Sequence, residues 1–246
     1  NTDLGILPKE WNVVKIGDVL SVRTGGKDTQ DRIDSGKYPF FVRSQTVERI
    51  NSFSFDGEGV LTAGDGVGTG KIFHYIDGKF DYHQRVYLIY GFNHKVSGKY
   101  FYKIFSRLFY DRIMSMTAKS SVDSVRREMI TEMSIPLPSF SEQVAVANAL
   151  SDMDALIEEL EKLIAKKQTI KTATMQQLLT GKTRLPEFAR HSDGSAKGYK
   201  TTELGVMPDD WLRTELGAIA SFSKGSGLPK SQLIDSGQFD CIHYGQ

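Results

Sequence analysis

Residues 141–180 read SEQVAVANALSDMDALIEELEKLIAKKQTIKTATMQQLLT, forty residues without a proline or a glycine. Apolar side chains recur at Leu150, Met153, Leu156, Ile157, Leu160, Leu163, Ile164, Ile170, Met175, Leu178 and Leu179. Steps of three and four mark one face of a helix. Ser139 or Ser141 offers an N-cap oxygen, and Glu142 stands at the positive end of the dipole. Gly181 lies where a C-cap glycine belongs, with Lys182 and Arg184 beyond it. Ser151-Asp152 is expected to divide the run into a short helix and a long one. The long part, over 152–180, would extend about 43 Å. Such a stripe is long for the domain before it, so a partner helix is expected to cover it.

Upstream, short β-branched and aromatic runs alternate with Gly, Asp and Asn. Tyr38–Val42, Gly59–Ala63, Lys71–Tyr75 and Arg85–Tyr90 read as strands. Residues 97–115, with Tyr100, Ile104, Leu108 and Ile113 at helical spacing, read as a helix, and a shorter one is expected from Val122 to Ile130. Ile135-Pro136-Leu137-Pro138 should end the domain, because its prolines disfavour helix and central strand alike. The fold class is therefore α/β. The expected divisions are a domain over 1–140, a helical spacer over 141–183, a polar linker over 184–200, and a further segment over 201–246.

That further segment repeats the opening. Thr2-Asp3-Leu4-Gly5-Ile6-Leu7-Pro8-Lys9-Glu10-Trp11 is answered by Thr202-Glu203-Leu204-Gly205-Val206-Met207-Pro208-Asp209-Asp210-Trp211, 200 residues on. Ile16-Gly17-Asp18-Val19 matches Leu216-Gly217-Ala218-Ile219, and Ile33-Asp34-Ser35-Gly36 matches Ile234-Asp235-Ser236-Gly237. A period this long is not a solenoid; it points to duplication of a domain with its connector. The second copy is too short to bury its own core. The chain is accordingly expected to be a fragment or natural truncation of a two-unit protein, its start at Asn1 processed or cut.

Composition narrows the function. Over 246 residues the net charge is +1, with 39% hydrophobic and 25% charged residues. That excludes a histone-like polycation and a wholly disordered chain. The single cysteine, Cys241, cannot form an internal disulfide or a thiolate zinc finger. No long apolar run or signal-like start is present, so no membrane association and a cytoplasmic location are expected. Gly64-Asp65-Gly66-Val67-Gly68-Thr69-Gly70-Lys71 fails as a phosphate loop: Asp65 stands where a glycine is needed, and Ile72 replaces the magnesium-binding Ser/Thr. His74, His83, His94, His191 and His243 show no metal spacing. Neither a Gly-x-Ser-x-Gly elbow nor an Asn/Asp-Pro-Pro-Tyr tract occurs. No catalytic or metal residue is expected, which argues against a stand-alone methyltransferase.

What remains is a polar and basic set around the predicted strands: Arg23, Thr24 and Lys27; Arg43, Ser44, Gln45 and Thr46; Lys71; His83, Gln84 and Arg85; and Lys119, Ser120 and Ser121, ahead of Arg126 and Arg127. Arg and Lys pair with guanine edges, Gln with adenine edges, and Ser or Thr with phosphate or base. Residues 1–140 carry 19 Lys+Arg and 16 Asp+Glu, a weak positive excess.

The chain resembles the specificity subunit of type I restriction-modification systems. The resemblance is carried by Leu7-Pro8-Lys9-Glu10-Trp11 with Ile16-Gly17-Asp18, and by Pro136-Leu137-Pro138-Ser139 leading to Glu142-Gln143. Leu150-Ser151-Asp152-Met153-Asp154 and Met175-Gln176-Gln177-Leu178-Leu179-Thr180-Gly181-Lys182 continue it. It implies a target recognition domain with a mixed, mostly antiparallel sheet and helices. A long helix that pairs antiparallel would follow, then the start of a second recognition domain. It also implies a non-catalytic subunit that reads half of a bipartite site on double-stranded DNA. Methyltransferase subunits would dock on it with S-adenosylmethionine, and restriction subunits would add ATP and magnesium. No cofactor is expected in this chain. With one helix present, a homodimer through Leu156, Leu160, Leu163, Ile164, Ile170 and Leu178 is expected. The alternative is an assembly or inhibitory fragment that binds partner subunits without productive DNA reading.

Overall fold

The computed structural model describes residues 4–116, 124–225 and the isolated positions Gly227, Pro229, Ser231, Leu233 and Ser236. Two compact units divide the chain, residues 1–163 and 164–246.

The first unit is built on a six-stranded sheet. Its strands are β2 (Ser21–Thr24), β3 (Tyr38–Phe41), β4 (Glu48–Ile50), β5 (Phe55–Ala63), β6 (Phe73–Tyr82) and β7 (Val86–Tyr90), ordered β2-β7-β5-β6-β3-β4. All neighbours run antiparallel except β3 and β6. The sheet is thus mixed and mostly antiparallel. A separate ribbon pairs β1 (Asn12–Lys15) with β8 (Ser134–Leu137). Helices α1 (Ile16–Val19), α2 (Gly98–Ser115) and α3 (Arg127–Thr131) complete the first unit.

Alternation along β5 explains why the sheet carries a core on each face. Val60 joins Val22, Phe73 and Ile89 against α2, whose Phe101, Phe105 and Phe109 come at four-residue steps and stack successively at 5.2 and 4.5 Å between ring centres. Leu61, the next residue, packs with Val86, Leu88, Phe41, Phe80 and Tyr82 on the other face. Phe80 is paired in the ladder with Phe55 yet shares this cluster with Leu61, six residues farther along β5. The β5–β6 ribbon must therefore fold over the sheet. The bend falls at the directly opposed pair Gly57 and Gly78, with φ of +137° and +135°. Side chains rarely adopt that backbone.

Helix α4 (Phe140–Leu179) leaves this unit as one uninterrupted helix of 40 residues, about 60 Å long. The break expected at Ser151-Asp152 is absent. Both residues face solvent, where neither costs the helix more than a small propensity term. Ser139 is the cap, its Oγ accepting from the Glu142 N–H at 3.3 Å. At the root Gln143 is only 1% exposed. Its Oε1 accepts from the Ser97 N–H at 2.9 Å, and its Nε2 donates to the carbonyls of Lys95 at 2.9 Å and Pro138 at 3.0 Å. Trp11 Nε1 donates to Glu142 at 3.2 Å, and Lys103 pairs with Asp154.

Two other expectations change. The proline tract does not merely end the domain: Pro136 lies within β8, opposite Val13. A two-stranded ribbon leaves each strand one free edge, where proline is tolerated. The short helix begins at Arg127, later than expected, because Val125 N–H donates to the Gly64 carbonyl at 2.6 Å and Ser124 bridges Asp65, holding that segment extended. Val122 lies outside the described residues.

In the second unit Gly181 ends α4, with φ +70° and its N–H on the Leu178 carbonyl at 3.1 Å. Residues 186–200 hold more than loop: a 3₁₀ turn (Pro186–Phe188), an Arg190–Ala196 bridge, and the start of a hairpin of β9 (Tyr199–Thr202) and β10 (Gly205–Pro208). Trp211 lines a hollow together with Leu178, Leu185 and Phe188, while Arg184 and Lys197 both reach Asp210, at 2.7 and 2.9 Å. Leu216 and Ile219, on α5 (Leu216–Ile219), and Phe222 remain exposed.

A methyl group on Gly78 would meet nothing within 4 Å, so its cost is backbone strain alone. Gly78→Ala should destabilise the first unit by about 1–3 kcal/mol. A denaturant midpoint unchanged from wild type would show that the ribbon does not depend on this bend.

Candidate nucleic-acid interface

The bend in the β5–β6 ribbon brings loops far apart in sequence together. His83 N–H donates to the Phe41 carbonyl at 2.9 Å, and Gln84 N–H to the Lys27 carbonyl at 2.8 Å. Gly64 N–H donates to the Arg85 carbonyl at 2.7 Å. Gly25 lies so close to the strand end that an added Cβ would sit 2.0 Å from the Tyr82 carbonyl oxygen. The ends of β2, β3, β5 and β6 thus meet along one face. They surround a cleft of ≈ 460 Å³ lined by Thr24, Asp65, Gln84, Arg85, Tyr87 and Ser124, among others.

Of the residues nominated from sequence, Thr24, Gln84 and Arg85 line this cleft, and Arg43 reaches it through Asp65. Arg43 Nη1 donates to Asp65 Oδ1 at 2.8 Å, and Arg85 Nε stands 3.8 Å from Asp65 Oδ2. Arg85 remains 65% exposed in its side chain, Asp65 only 21%. Gln84 Nε2 donates to Asp28 Oδ2 at 3.0 Å. Gln45 and Thr24 are exposed, and Ser44 contributes its carbonyl to His74. Arg126 and Arg127 are exposed immediately after Val125, which the Gly64 carbonyl holds at the cleft.

Others are arranged differently. His83 is 2% exposed and serves the turn: its Nδ1 accepts the Arg85 N–H at 2.9 Å. Arg23 is exposed but already engaged, donating to the Tyr82 hydroxyl at 2.8 Å and the Ser54 carbonyl at 3.2 Å, with Phe55 and Tyr90 beneath its guanidinium. Lys71 lies over the Tyr110 ring at 5.4 Å. Lys119, Ser120 and Ser121 lie outside the described residues. Asp28 and Asp65 were missed by sequence reasoning. Asp65 drew notice only as the residue that spoils a phosphate loop, and the pairing that gives it a role spans 22 positions.

The second surface is the stripe of α4. Leu156, Leu160, Leu163, Ile164 and Ile170 are all exposed, between 47% and 68%. Leu178 differs: it is half-buried within the second unit, beside Trp211. Among the described residues no group of three His, Cys, Asp or Glu side chains is placed to hold a metal, and no helix is long and apolar enough to cross a membrane.

A family model described as the type I restriction modification DNA specificity domain matches residues 8–172. The type I restriction enzyme EcoDI specificity subunit of Escherichia coli is 30% identical over 222 residues, covering 84% of this chain and 48% of that protein. The MjaVIII specificity subunit of Methanocaldococcus jannaschii is 25% identical over 242 residues, covering 94% and 54%. The chain spans about half the length of the curated relatives it matches. In fold it resembles the type I restriction-modification S subunit from M. genitalium, with a TM-score of 0.55 at 14% identity, over 67% of this chain and 44% of that one. It also resembles HsdS from Thermoanaerobacter tengcongensis, with a TM-score of 0.52 at 14% identity, over 72% and 46%.

Two histidines tie this face to pH. His74 Nε2 donates to the Ser44 carbonyl at 2.9 Å, and burial holds its pKa below the ordinary 6.5. Burial, then the Arg43 cation, lowers that of His83. Both rings fold neutral. Their contribution is complete above the unfolded value and is lost as pH falls through about 6.5 toward the lower folded values. Ring titration by NMR should give midpoints below 6.5 for both, and the denaturant midpoint should fall between about pH 7 and pH 5.5. A midpoint above 6.5 for either ring would contradict its placement.

Proposed function

The chain belongs to the type I restriction-modification DNA specificity family, and on that premise we propose that it is a sequence-reading subunit for double-stranded DNA. The first unit reads one half of a bipartite target with the cleft face. Helix α4 pairs antiparallel with its copy in a homodimer, so two recognition units address two half-sites. Methyltransferase subunits dock on this dimer, and restriction subunits join the assembly. The chain contributes no catalytic group. S-adenosylmethionine belongs to the methyltransferase subunits, and ATP with magnesium to the restriction subunits. The location is the cytoplasm, where the DNA is.

Within the family, the observation that carries this reading is the gathering of Thr24, Gln84 and Arg85 on one cleft, with Arg43 tied to its wall through Asp65, from three separate segments of the chain. Arginine and glutamine are the side chains suited to bidentate contact with guanine and adenine edges. The exposed α4 stripe supports the pairing, because Met153, Leu156, Leu160, Leu163 and Ile170 keep the three-and-four spacing of a helix seam.

The chain is purified with its methyltransferase partner and the methylated site is mapped. A bipartite target supports the reading. Partner binding without sequence preference would favour the assembly or inhibitory fragment instead. Arg43→Ala, Gln45→Ala and Arg85→Ala should each change preference at one position by about 1–3 kcal/mol. If all three leave target and affinity intact, the cleft is not the reading surface. Leu160→Glu and Leu163→Glu should reduce the light-scattering mass from dimer to monomer without lowering the first unit's denaturant midpoint, since both side chains are exposed. A wild-type monomer would overturn the pairing.

A further inference from the structure

A carboxylate sits in the middle of the face assigned to a polyanion. Asp65 lies at the end of β5, fixed by its bridge to Ser124. One oxygen accepts from Arg43 at 2.8 Å; the other faces Arg85 at 3.8 Å. Partly exposed ion pairs add little to fold stability. Toward DNA, the same carboxylate repels phosphate and cancels part of the positive charge that would attract the backbone. The arrangement is repeated a loop away, where Asp28 holds Gln84 at 3.0 Å.

We infer that Asp65 is a positioning residue for sequence selectivity: it holds the Arg43 and Arg85 guanidiniums at the cleft wall, where they meet base edges, and keeps them off the phosphates. The inference rests on the DNA-reading function proposed above. A free arginine is long and mobile and finds the nearest phosphate, which gives affinity without sequence information. An arginine tethered through one N–H retains its other donors, and its planar fork is already oriented for guanine O6 and N7. The carboxylate thus lowers binding to every sequence and lowers it least where a base edge replaces what phosphate would have offered. Asp28 stands in the same relation to Gln84.

The test uses the full chain in complex with its methyltransferase subunits. Affinities for the mapped target and for a scrambled duplex are measured across a salt series, with wild type, Asp65→Asn and Asp65→Glu. Asparagine keeps the size and an acceptor oxygen but removes the charge. Asp65→Asn should bind the scrambled duplex more tightly, with a salt slope steeper by about 0.9 for each guanidinium moved to a phosphate. Its target-to-scrambled ratio should fall about tenfold, the scale of one lost bidentate base contact. Asp65→Glu retains the carboxylate and should keep most of the ratio. An unchanged ratio in Asp65→Asn, or equal weakening on both duplexes, overturns the inference while leaving the DNA-reading function intact. A wild-type complex with no preference overturns both.

Discussion

The buried side-chain amide of Gln143 fixes how the long helix leaves the sheet and helices of the first unit. All three of its hydrogen bonds end on backbone: the N–H of Ser97, which caps α2, and the carbonyls of Lys95 and Pro138. A buried backbone group left without a partner costs about 1–3 kcal/mol, so the three sites hold the amide in one orientation. Since Gln143 lies in the first turn of α4, its position sets the axis of the helix at its root. The bond from Trp11 to Glu142 holds the same first turn, and the ion pair of Lys103 with Asp154 ties the helix again about three turns farther on. Any pairing of the exposed stripe beyond Asp154 inherits the direction set here.

Where residues act locally, the sequence made them legible. The helical period of 97–115 and of 141–180, the cap at Ser139 and the glycine stop at Gly181 all depend on neighbours within a few positions. The alternating runs located β3, β5, β6 and β7, but not their extents. The lower half of β5 and the far half of β6 hold Asp56, Gly57, Asp77 and Gly78, residues that individually disfavour strands and exist here as a paired bend. The proline strand β8 was hidden for the same reason: Pro136 is compatible with a ribbon only because β1, over 120 positions earlier, supplies the partner.

The candidate face shows the limit more sharply. Arg43, Gln84 and Arg85 could be nominated by chemistry, since such side chains suit base edges. Which of the nominated groups face outward could not. His83 and Gln84 are adjacent, yet the first is buried as an acceptor for the turn and the second lines the cleft. Arg23 is basic and exposed, but its donors are already engaged by Tyr82 and Ser54. The acidic partners are the least legible part. An aspartate within a glycine-rich turn carries no local sign that two arginines from other loops will converge on it.

The repeat gives the helix two ends of the same kind. In the first unit Trp11 meets the start of α4 through Glu142. In the second, Trp211, its counterpart in sequence, lies against the end of α4. A Cβ on Gly181 would stand 3.3 Å from the Trp211 ring and 2.5 Å from Pro208, so the glycine that stops the helix also makes room for this tract. Arg184 and Lys197 converge on Asp210 beside it and hold the Asp210 carboxyl far below the ordinary carboxylate range. Copies of one sequence tract thus stand at both termini of one helix, each with its own means of attachment: a single hydrogen bond to the first turn at the root, and an indole beside an ion-pair cluster at the far end.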